Sequence, residues 1–124
     1  MPVVSPVVVV ATFTVKPESV EAVREICTKA VAQVHEEPGC QLYSLHEADG
    51  AFVFIEQWAD ADALKAHSTA PAVGELFGNL TEHLAGAYAV ASIADDGRRL
   101  ELSMTVDAPN VIDAAVRALY RLRV

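Results

Sequence analysis

The chain has 124 residues, 52% of them apolar, and sets 9 Lys and Arg against 17 Asp and Glu for a formal net charge of −8. That length suits one domain with a real core and would make two cramped. The acidic balance makes nucleic acid and anionic membrane surfaces poor partners.

The opening run VVSPVVVVATFTV is interrupted by Pro6 and is too short to span a bilayer. With no positive segment before it and no small-residue cleavage pattern, it reads as a strand rather than a signal peptide. Val7 to Val15 has β-branched content, and both of its faces are apolar near the start, so it is expected to be buried on both sides. Lys16-Pro17-Glu18-Ser19 then opens a helix, with Pro where a missing N–H does no harm. Val20, Val23, Ile26, Cys27, Ala30, Val31 and Val34 recur at steps of three and four, a single apolar stripe. Glu36-Glu37-Pro38-Gly39 stops that helix.

Two strands are predicted next, Cys40 to Glu47 and Ala51 to Trp58, around the hairpin turn Ala48-Asp49-Gly50. Asp60 can cap a short helix over Ala61 to Ser68. After Pro71 a further helix carries Val73, Leu76, Phe77, Leu80 and Leu84 and is expected to end at Gly86. Tyr88 to Ala94 reads as a fourth strand. Leu100, Leu102, Met104 and Val106 alternate with polar neighbours as a fifth, and Val111 to Leu122 has a helical stripe.

This order predicts an α+β fold: a ferredoxin-like βαββαβ antiparallel sheet with helices on one face, plus a C-terminal strand–helix extension. Residues 1–94 are expected to form that domain. Residues 95–124 are expected to pack on it or on a dimer partner. The second sheet face is expected to carry Val8, Val10, Leu42, Phe52, Phe54 and Trp58, an apolar area that needs a cover. A homodimer stacked sheet against sheet would supply it. Cys27 and Cys40 show no metal or redox spacing and are expected to be reduced, packed thiols, which fits a cytoplasmic protein.

The stretch EEPGCQLYSLHEADGAFVFIEQWADADALKAHSTAP, residues 36–71, resembles the antibiotic biosynthesis monooxygenase (ABM) domain family. The features that carry the resemblance are Glu-Pro-Gly-Cys before the second strand, Glu-x-Trp ending the third, and Asp-x-x-Ala-Leu-x-x-His after it. The resemblance spans residues 7 to about 94 and implies a dimeric α/β barrel. Family members include cofactor-independent monooxygenases of polycyclic phenols or quinols, haem-degrading enzymes, and an isomerase of a phosphorylated signalling sugar. Where the anthrone oxygenases have Asn, Arg and Tyr, this chain has Phe54, Gly78 and Leu64, while their Trp matches Trp58. The haem-degrading triad would fall on Thr12, His67 and Phe77 and is absent. What remains most resembles the quinol-oxygenase-like and isomerase-like members.

Three residues are candidates for proton chemistry. His67 is the side chain most suited to move a proton near neutral pH, with a local hydrogen bond as the alternative reading. Glu56 alternates with Phe54 and Trp58, so it should point inward and must be paired or protonated. His46 is the second choice for a base. Trp58, Phe54, Phe52 and Thr12 are the expected substrate-binding residues, and Trp58 is equally readable as core. No spacing of His and carboxylates points to a metal, and no cofactor is expected. The expected function is a cofactor-independent monooxygenase that oxidises a quinol-like or phenolic aromatic substrate with O₂. The alternatives are an isomerase or other proton-transfer enzyme on a small metabolite, and a non-catalytic dimeric binding module.

Overall fold

A computed structural model describes residues 6–95 and 100–107. Strands β1 (Val7–Val15), β2 (Cys40–Ala48), β3 (Ala51–Trp58), β4 (Leu84–Asp95) and β5 (Leu100–Asp107) form one sheet in the order β2-β3-β1-β4-β5. Every pairing is antiparallel. The first four strands have the ferredoxin-like order, and β5 lengthens the sheet at the β4 edge. Helices α1 (Val20–Val34), α2 (Ala61–Ser68) and α3 (Pro71–Leu80) complete the α+β architecture. The helix expected over residues 111–122 lies outside the described residues.

Local chemistry accounts for most of these boundaries. Pro17 sits in a 3-10 turn, Pro17–Ser19, that leads into α1, and the stripe buries Val23, Cys27, Ala30 and Val34 completely. The β2–β3 turn is Asp49-Gly50 between the paired Ala48 and Ala51, with Gly50 in the left-handed region at φ 72°. Asp60 caps α2 by accepting the Ala63 N–H at Oδ1, 2.8 Å away.

The helices cover the sheet face that carries Val7, Val9, Ala11, Phe13 and Val15. These residues share one core with Val23, Cys27, Ala30 and Val34 of α1 and with Ala72, Leu76 and Leu80 of α3. The register places Trp58, Glu56, Phe54 and Phe52 opposite Val7, Val9, Ala11 and Phe13. Residues directly opposite in an antiparallel pair share a face. Phe52, Phe54 and Trp58 therefore lie under the helices and not on the uncovered face, which corrects the expectation from sequence. The uncovered face carries Val8, Val10, Val53, Ile55, Leu42 and Ile93. Leu42 is 45% exposed there.

A second correction concerns the end of α3. The helix stops at Leu80, a 3-10 turn spans Thr81–His83, and Leu84 begins β4. Leu84 pairs with Val15 beyond a register shift after Phe13, and Lys16 N–H donates to the His83 carbonyl at 2.9 Å. Pairing with the central strand thus overrides the helical spacing of Leu84, and Gly86 falls inside β4 rather than ending a helix.

Candidate active site

The site begins where α1 hands over to β2. The Glu37 N–H donates to the Val34 carbonyl at 2.9 Å, closing the helix, and Gly39 turns the chain with φ 82°. A side chain at Gly39 would meet the Ala63 Cβ at 2.5 Å, so only glycine lets this backbone pass so close to α2. The Gly39 carbonyl also accepts the Ala59 N–H at 2.8 Å. Held this way, Glu37 reaches the last turn of α2, where His67 stands.

Glu37, His67, Glu56 and Trp58 form a line of polar groups inside an apolar shell. His67 Nδ1 lies 2.9 Å from Glu37 Oε1. A carboxylate oxygen only accepts, so Nδ1 carries the hydrogen and Nε2 faces the other way. There Nε2 stands 3.6 Å from Glu56 Oε1, within ion-pair reach but too far for a closed hydrogen bond. The Trp58 indole N–H donates to the same Glu56 oxygen at 2.9 Å. The indole also stacks on the His67 ring, with centroids 4.3 Å apart and planes at 29°. The side chains of His67 and Glu37 are only 8% and 15% exposed, and Glu37 Oε2 is enclosed with no partner among the described residues.

Burial pushes the Glu56 carboxyl up to about 7, with the Glu37 charge adding to the rise and the Trp58 N–H opposing it. A carboxyl in that range gains and loses a proton at neutral pH, as a general base must. Burial likewise pushes the Cys27 thiol up to about 12 and raises that of Cys40, so neither is an activated nucleophile.

A cavity of about 210 Å³ opens beside this line. Glu56, His67, Ser68 and Tyr43 are among the polar residues that line it. Phe13, Phe54, Phe77 and Tyr88 form an aromatic wall, with Phe13–Tyr88 and Phe77–Tyr88 centroids 5.4 and 5.3 Å apart. Leu64, Val73 and Leu76 close it from α2 and α3. No Lys or Arg lines it among the described residues. The cavity therefore lies within this chain, between the sheet and its own helices.

The structure brings together His67, Glu56 and Phe54 at this cavity. Trp58 and Phe52 are fully buried and do not line it, although Trp58 backs both polar groups. Thr12 pairs with Val53 on the uncovered face, so it cannot reach the cavity. His46 also pairs with Val53 on that face, and there its Nε2 lies 2.8 Å from Ser44 Oγ. Both placements correct the sequence reading: the β1–β3 register sets Thr12 opposite Val53 rather than Phe54, and for His46 the cause is a register shift between Cys40 and Leu42 that swaps the faces of β2. The same shift brings Tyr43 under the helices. Glu37, Tyr43, Ser68 and Tyr88 are polar residues of the site that the sequence reading passed over. The alternation of β2 counted back from Glu47 rather than forward from Cys40 would have flagged Tyr43.

The comparison with known proteins decides the family. The sequence profile described as "Antibiotic biosynthesis monooxygenase" matches residues 6–78. The chain belongs to the antibiotic biosynthesis monooxygenase family. Among solved structures it is similar to a Caulobacter crescentus CB15 protein named provisionally as such a monooxygenase. The two are 26% identical over 77% of this chain and 92% of that one, with a TM-score of 0.69. It is also similar to Rv0793 from Mycobacterium tuberculosis, 27% identical over 85% of this chain and 95% of that one, with a TM-score of 0.63. PA3566 from Pseudomonas aeruginosa, 24% identical over 83% and 94% with a TM-score of 0.61, shares the fold. No curated protein matches the sequence. The ABM match spans β1 through most of α3, and so contains Glu37, Tyr43, Glu56, Trp58 and His67. No helix among the described residues is long and apolar enough to cross a membrane.

Proposed function

We propose that this ABM-family protein is a cofactor-independent monooxygenase that oxidises a quinol-like or phenolic aromatic substrate with O₂. The observation that carries this reading is the buried Glu37–His67–Glu56 line at the wall of an aromatic cavity. Such a substrate supplies all four electrons itself. A hydroquinone and O₂ give a hydroxyquinone and water, one oxygen atom entering the ring and the other leaving as water. The protein has three tasks. Glu56, with His67 beside it, takes the phenolic proton and leaves an electron-rich anion that can pass an electron to O₂. The aromatic wall holds the ring and keeps water from the intermediates. The protonated pair then returns a proton as the O–O bond breaks, so that water can leave.

Oxygen uptake with a panel of hydroquinones and anthrones tests the reading. Wild type is expected to turn over at least one of them. His67→Ala is expected to be slower by about 10²- to 10⁴-fold, the usual contribution of a positioned acid–base group. No uptake across the panel, or equal uptake in both proteins, would remove the mechanism.

The working unit we propose is a homodimer joined through the uncovered sheet face, with Val10, Ile55 and Leu42 as its apolar centre. Ile55→Lys places a charge in the middle of that face, away from the cavity. Light scattering should then report a monomer in place of a dimer, and an unchanged mass would refute this interface. The cytoplasm is the compartment we propose, since Cys27 and Cys40 are both free thiols.

A further inference from the structure

Tyr43 is 3% exposed and lines the cavity. Its main-chain carbonyl lies 3.0 Å from His35 Nε2, but its hydroxyl makes no hydrogen bond to any described residue. Buried tyrosine hydroxyls normally find a partner, because leaving one unpaired costs free energy. The enclosed side-chain polar atom without a partner among the described residues is Glu37 Oε2. The Tyr43 hydroxyl is not an enclosed atom of that kind, and Tyr43 borders the cavity. Its position matters too. Tyr43 is directly opposite Glu56 in the β2–β3 register, and its ring meets His67 edge-on at 5.6 Å and Phe54 at 5.0 Å.

We propose that Tyr43 is a substrate-binding residue of this cavity, donating its hydroxyl hydrogen to a carbonyl or phenolate oxygen of an aromatic ligand without carboxylate or phosphate groups. The proposal rests on this cavity being the substrate site and stands whichever reaction occurs there. Burial, then the Glu56 charge, raises the phenol above its ordinary range, so Tyr43 stays protonated and acts as a donor. A ligand oxygen held by Tyr43 lies next to Glu56 and His67, where its proton can be taken. Two carboxylates and no lining Lys or Arg make the site hostile to a strongly anionic ligand. At the packing density of protein interiors, about 0.75, the cavity of about 210 Å³ holds about 160 Å³ of atoms, the scale of two fused rings.

Two probes that differ in a carbonyl group isolate the hydroxyl: 1-tetralone and its hydrocarbon counterpart tetralin. Trp58, the single tryptophan of the chain, stacks on His67 and reports binding by its fluorescence. Tyr43→Phe is expected to weaken tetralone binding by about 3- to 10-fold, the range for one neutral hydrogen bond, and to leave tetralin binding unchanged. The melting temperature should stay level or rise, because no hydrogen bond within the protein is lost. Equal weakening of both probes, no weakening of tetralone, or a wild type that binds neither would overturn the proposal. Selective loss of tetralone in a protein with no oxygen uptake would support Tyr43 while refuting the oxygenase reading.

Discussion

Glu56→Gln is expected to lose turnover by about 10²- to 10⁴-fold and yet melt at a higher temperature than wild type at pH 8. Both effects come from one cause. Glu56 is buried, and burial pushes its carboxyl from an ordinary 4.5 up to about 7. As the proposed base it must be ionised, so wild-type turnover is expected to rise as pH climbs through about 7. Glutamine cannot take the proton, although its amide oxygen can still accept the Trp58 N–H. For stability the sign is opposite. Between 4.5 and about 7 the folded protein binds this proton and the unfolded chain does not, so stability falls as pH rises through that window. The loss is on the order of 3 kcal/mol once the carboxylate is fully charged. Glutamine has no charge to desolvate and escapes it. Melting curves of both proteins at pH 4 and pH 8 check this: the variant should gain several degrees at pH 8 and little at pH 4. Retained turnover, or an equal shift at both pH values, would contradict the role given to Glu56.

The burial of Glu56 was legible in the chain itself, because Glu56 alternates with Phe54 and Trp58 and could only point inward. The strand and helix order was legible for the same reason. The α1 stripe, the Asp49-Gly50 turn and the Asp60 cap are local signals, and each is present in the structure. Which side of the sheet the cavity occupies was not legible. β1 is apolar on both faces near its start, so its alternation cannot say which face the helices cover. Only the register with β3 decides that, and register is a non-local property. The irregularity after Cys40 then inverted the reading of β2, hiding Tyr43 and promoting His46. Glu37 was hidden differently. Next to Pro38-Gly39 it reads as the end of a helix, and nothing in the spacing shows that the turn delivers it to a histidine 30 positions on.

Trp58 is the residue on which stability and chemistry meet, and two substitutions should separate its parts. Its side chain is fully buried, pairs with Val7 and Cys40 across the sheet, and stacks on His67. Trp58→Ala removes that volume, at a cost of about 3–5 kcal/mol for a large aromatic. A domain has roughly 5–15 kcal/mol in total, so this variant should unfold at much lower denaturant and bind substrate poorly. Trp58→Phe keeps most of the ring and loses the indole N–H. Glu56 then has no donor on Oε1, and since that bond holds its carboxyl down, the carboxyl should rise further above about 7. The expected result is a pH–rate profile whose rising limb moves to higher pH, with the plateau rate nearly restored once Glu56 is ionised. A lowered plateau with an unmoved limb would mean that the indole serves only to position His67. A moved limb would show that a core tryptophan sets the pH at which the buried carboxylate becomes a base.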